Sequence, residues 1–75
     1  MEVSEYEVGP SSALKDSTLR ASNLRRKTGG MVVALKRAEG EMLFSPSPDE
    51  PIREGDILVV IGTTGMTAQL ATLSD

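Results

Sequence analysis

The run Ile57-Leu58-Val59-Val60-Ile61, entered through Gly55-Asp56 and left at Gly62, decides the fold. It is five apolar residues, four of them β-branched, between turn-formers, which favours a strand over a helix. A second run, Met31-Val32-Val33-Ala34-Leu35, follows Gly29-Gly30 and reads as a strand covered on both faces. Working outward, Tyr6 to Val8, with Val3 ahead of it, alternates weakly and stops at Gly9-Pro10. Glu41 to Phe44 follows a Glu39-Gly40 turn and completes a hairpin with the second run. Two short helices remain. Asp16 or Ser17 is placed to cap the first, which carries Leu19 and runs towards Leu24 with an irregular turn at Ser22-Asn23. Thr63 or Thr64 is placed to cap the second, where Met66, Leu70 and Leu73 share one face. Ser45 to Glu54, with Pro46, Pro48 and Pro51, is loop.

The expected fold is α+β: a small β-α-β-β-β-α sandwich on a mostly antiparallel four-stranded sheet, one domain over residues 1–75. A chain this short buries about 60% of its unfolded surface, so its core is marginal alone. With no cysteine, disulfides and thiolate zinc sites are excluded, and oligomerisation is the remedy left. A homodimer is therefore expected, the second protomer covering the apolar strands. No stretch approaches the ~20 apolar residues of a membrane span, and Glu2, Glu5 and Glu7 are the wrong charge for a secretory signal. The expected setting is cytoplasmic.

Charge is unevenly distributed. Seven of the eight basic residues lie between Lys15 and Arg37, opposed there by Asp16 alone, although the net charge is −3. A local positive field on an acidic chain suits a compact anion better than a nucleic-acid backbone. Arg25-Arg26-Lys27 is a short basic run, and only Tyr6 and Phe44 could stack on bases, so no nucleic acid polymer is expected as partner. The alternative is a solvated basic face with no ligand.

The chain contains no histidine, and its serines and threonines have no partner base, so an enzyme is not expected. Gly29-Gly30 lacks the phosphate-loop pattern and precedes a strand. The acids around the turns read as solubilising charge; Asp49, Glu50 and Glu54 could form a loose calcium site but lack EF-hand spacing. Asp56 reads as a turn carboxylate accepting backbone N–H groups, worth about 1–2 kcal/mol against alanine.

Five motifs occur in an order similar to that of the RCK C-terminal (TrkA-C) domain of potassium channel and transporter regulators. They are Ser12-Ala13-Leu14; Thr18-Leu19 through Asn23-Leu24-Arg25; Gly29-Gly30-Met31-Val32-Val33-Ala34-Leu35-Lys36-Arg37; Pro46; and Ile52-Arg53-Glu54-Gly55-Asp56-Ile57-Leu58-Val59-Val60-Ile61-Gly62. The resemblance spans Tyr6 to Leu73 and implies a dimeric, cytoplasmic sensing module. Its partners would be a membrane potassium channel, transporter or cation/proton antiporter at the inner membrane face. It also implies a small anionic ligand at the dimer interface, cyclic di-AMP in one branch, and no other cofactor. On that resemblance Arg25 contacts phosphate, and Met31, Val32 and Pro46 hold the base; a binding module should also leave Lys27, with Arg25, unpaired around a groove at the dimer axis. Met31 and Thr28 depart from that branch, which often has a hydrogen-bonding residue and an aromatic there. A purely structural dimerisation domain is the alternative.

Overall fold

The computed structural model describes residues 1–73. Its centre is β4 (Ile57–Gly62), paired antiparallel with β1 (Glu2–Glu7) on one side and β2 (Gly30–Lys36) on the other. The short β3 (Met42–Phe44) pairs antiparallel with β2, giving the order β1-β4-β2-β3. All pairings are antiparallel. Burial along β4 alternates, with Leu58 and Val60 fully buried and Ile57, Val59 and Ile61 half-buried. A continuous apolar run thus behaves as a strand with one deep face and one shallower face.

The deep face carries the core. Leu58, Val60, Leu35 and Tyr6 meet Leu14, Leu24, Ile52, Met66 and Leu70 from the helices and loops. The expectation that β2 is covered on both faces does not hold within the chain. Met31 is 50% exposed and Val33 half-buried, and with Val3 at 66% and Phe44 at 76% they leave apolar groups open to solvent. The register against β4 shifts between Val32 and Ala34, making Val33 an inserted bulge residue. Val32 and Leu35 therefore both face the core although three positions apart, while Met31 faces outward. The two aromatics part company: Tyr6 is buried, donating from its hydroxyl to the Leu73 carbonyl at 2.7 Å, and Phe44 is exposed.

The helices differ from expectation in their caps. The first, α1 (Leu19–Ser22), is capped by Thr18, not by Asp16 or Ser17: its hydroxyl accepts from the Ala21 N–H at 3.0 Å. Asp16 instead has φ 67°, a turn conformation incompatible with a cap's extended backbone. The irregular turn is there, at Asn23 (φ 53°), but a second helical turn, α2 (Leu24–Thr28), follows it. The last helix, α3 (Met66–Ala71), is not capped by Thr63 or Thr64. The amides at its start donate to the carboxylate of Glu2, at the beginning of the neighbouring β1, Gly65 at 3.1 Å and Thr67 at 2.9 Å. No helix among the described residues is long and apolar enough to cross a membrane.

Candidate functional site

The site grows from the junction of α2 with β2. Thr28, buried, donates its hydroxyl to the Leu24 carbonyl at 2.7 Å and accepts from the Gly30 N–H at 3.0 Å, turning the chain out of the helix. Gly29 (φ 78°) closes the turn, its N–H donating to the Arg25 carbonyl at 2.8 Å. Two further glycines let this junction press onto the sheet. A Cβ on Gly30 would lie 2.5 Å from Val60, and one on Gly62 would lie 2.7 Å from the Gly29 carbonyl oxygen. That close approach sets Arg25, on α2, beside Met31, on β2.

Two open cavities meet there. One, of about 340 Å³, has apolar walls from Leu19, Leu24, Val32, Pro46 and Pro48 and is flanked by Arg20 and Arg25. The other, of about 500 Å³, offers Thr63 and Thr64 opposite Arg25. Arg25 and Met31 line both. Of the residues singled out from sequence, Arg25, Met31, Val32 and Pro46 come together at the first cavity. Lys27 is exposed on α2 and lines neither. Arg20, Leu19, Leu24 and Pro48 went unremarked as site residues. The kink at Asn23 brings α1 to the same groove as α2, and helical periodicity cannot show a kink's direction.

The basic segment does not form a single field. Lys15 pairs with Glu54 at 3.7 Å and Arg20 with Asp49 at 3.3 Å, both exposed enough for solvent to weaken them. Arg37 is buried, 4% exposed, and donates to Asp56 at 2.6 Å, to the Pro51 carbonyl at 2.9 Å and to Glu50. Asp56 also accepts from the Arg53 N–H at 2.8 Å, as a turn carboxylate should. Its second role, counter-ion to Arg37, was not foreseen. The three acids of the possible calcium site thus each face a different cation, and no acidic cluster fit to hold a metal occurs among the described residues. Arg25, Arg26 and Lys27 have no ion-pair partner among the described residues. An apolar slot flanked by an unneutralised guanidinium suits a ligand with a flat apolar part and an anionic part.

The TrkA-C domain family model matches residues 3–74. Potassium channel protein 1 of Methanocaldococcus jannaschii is 38% identical over 84% of the chain, and Ktr system potassium uptake protein C of Bacillus subtilis is 40% identical over 83%. The chain spans only 18% and 28% of those two proteins. Among solved structures, the RCK_C domain dimer of S. agalactiae BusR in complex with c-di-AMP superposes with a TM-score of 0.85, at 26% identity, covering 97% of this chain and 95% of that one. BusR has also been solved in complex with its busAB promoter DNA, with a TM-score of 0.84 at 27% identity over 95% of this chain and 34% of that one. That complex corrects the exclusion of nucleic acid as a partner class. The exclusion rested on the local, short basic run and the few aromatics of this chain, and a domain of this fold can sit in a longer DNA-bound protein whose DNA contacts such counts do not address.

Proposed function

The chain belongs to the TrkA-C domain family, and from that premise we propose that residues 1–75 form a cytoplasmic ligand-sensing and dimerisation module regulating potassium or cation transport, working at the inner face of the membrane. Its role is to bind, not to catalyse. The supporting observation is Arg25, without an ion-pair partner among the described residues, at the edge of an apolar slot that also contains Met31, Val32 and Pro46. A two-fold dimer doubles the slot, and a ligand with two phosphates and two bases matches that symmetry. Cyclic di-AMP has this chemistry, and it is bound by the BusR domain of the same fold. Arg25 meets phosphate through its planar fork, the apolar walls pack against adenine, and Lys27 adds long-range attraction from outside the slot. Met31 packs on the base without donating a hydrogen bond.

Calorimetric titration of cyclic di-AMP into the wild-type protein tests the proposal. Binding is expected, with about 2–5 kcal/mol lost in Arg25→Ala if the contact is desolvated. An intermediate loss is expected in Arg25→Lys, which keeps charge but not the fork. Sedimentation should give a dimer at micromolar concentration. A dimer that is silent to millimolar ligand supports a structural dimerisation domain instead, and a stable monomer removes both.

A further inference from the structure

The loop that carries Pro46 and Pro48 is held down from outside the slot. Residues 48–52 run antiparallel to residues 16–20, joined by backbone hydrogen bonds. Leu19 donates to the Glu50 carbonyl at 3.1 Å, Arg20 to the Pro48 carbonyl at 2.7 Å, and Ile52 to the Ser17 carbonyl at 2.7 Å. A bridge pairs Thr18 with Pro51. Leu19, Arg20 and Pro48, which line the slot, therefore belong to one paired strip, and Pro46 stands two residues ahead of it. That strip is fastened to the sheet through Arg37. Placed just after β2, Arg37 grips the strip at the Pro51 carbonyl and the Glu50 carboxylate, and it is fixed in turn by Asp56, 1% exposed, just before β4. Arg37 lines neither cavity at the α2–β2 junction.

We propose that Arg37 is a positioning residue for the ligand slot: through Glu50 and Pro51 it fixes the strip whose Leu19, Arg20 and Pro48 line the slot, and so sets its affinity. The idea rests on the binding role proposed above. The physical reason is the loop's composition. Ser45 to Glu54 has three prolines and almost no buried side chain except Ile52, so little but this clamp and the strip's backbone bonds restrains it. A guanidinium buried against the sheet is a fixed point, because moving it would leave its charge and that of Asp56 unpaired in the interior.

Glu50→Ala is the decisive variant, because it removes the carboxylate by which Arg37 holds the strip while leaving the buried Arg37–Asp56 pair in place. Removing an acid near a cationic slot should strengthen anion binding if charge alone mattered; the clamp predicts the reverse sign. Cyclic di-AMP affinity should weaken by about tenfold, mid-range for a residue acting through its neighbours. Hydrogen exchange at the Leu19 and Arg20 amides should accelerate by on the order of tenfold, as expected of a local opening, with the sheet amides unchanged. Glu54→Ala, which removes the same charge from the same loop but frees only Lys15, should leave both readings near wild type. Equal or tighter binding by Glu50→Ala overturns the proposal, and so does unchanged exchange at Leu19 and Arg20. Wild-type silence towards cyclic di-AMP overturns the binding role and the affinity part of the clamp. The exchange measurement then decides the mechanical part independently.

Discussion

The two ends of β2 carry arginines in opposite states. At the Gly30 end, Arg25 projects from α2 into open cavities with no counter-ion among the described residues. At the Lys36 end, Arg37 is buried and shared between two carboxylates and a carbonyl. One basic segment of sequence thus supplies a charge available to a partner and a charge consumed by the fold. A cluster of lysines and arginines measures what charge is present. Counter-ions and burial decide how much of it a ligand can feel.

The largest test of this contrast is at the closed end. Asp56→Ala leaves Arg37 without its best-buried counter-ion, and should cost about 3–5 kcal/mol, as when one partner of a buried pair is removed. Considered as a turn residue alone, Asp56 would be worth about 1–2 kcal/mol. Urea unfolding separates the two values, and the lower one would mean that the closed end is held by something other than charge. Next comes the junction at the open end. Gly62→Ala puts a methyl group 2.7 Å from one backbone atom and 2.9 Å from another, neither of which can rotate away. It should cost about 1–3 kcal/mol as overpacking and loosen α2 against β2.

The contrast requires that Arg25, unlike Arg37, be dispensable for folding. Arg25→Ala should change stability by less than about 0.5 kcal/mol, the usual range for an unpaired surface side chain. An unfolded Arg25→Ala protein would break the comparison outright. The smallest effect is at Glu2. The Thr67 amide, then the Gly65 amide, donate to its carboxylate and lower its pKa below the ordinary value of 4.5. A pKa depressed by folding means that Glu2 stabilises the fold above about pH 4.5 and that this contribution fades as the pH falls through the lower folded-state value. Melting curves of wild type and Glu2→Gln should differ slightly at neutral pH and converge in acid. A gap that widens on acidification would reverse the sign.

Strand identity and chain order were legible in the sequence, because apolar runs between glycine turns leave the backbone few alternatives; which face of those continuous runs lies deep was not. Leu58, Val60 and Leu35 are buried as their strands imply. Met31 is the exception that shows the limit: a bulge at Val33 shifts the alternation, and a one-residue shift depends on the partner strand. The caps were misplaced for a related reason. Thr63 and Thr64 have the right chemistry for α3, but Glu2, at the start of β1, reaches it instead, a partner more than sixty residues away.

The sequence by itself determined that this is a small antiparallel α+β domain with a basic segment beside a glycine turn, since hydrophobic run length, turn residues and charge counts are local quantities. The resemblance of its motifs to a known family, rather than any of those quantities, singled out Arg25, Met31, Val32 and Pro46, which the fold brings to one groove. Only the tertiary structure decided that Arg37 faces inward, that Arg20 and Pro48 join the groove, and that Lys27 stays outside it. Those assignments depend on the kink at Asn23 and on the pairing of residues 16–20 with 48–52. Burial and ion pairing are properties of atoms that meet across the chain, and no local stretch of sequence contains both partners.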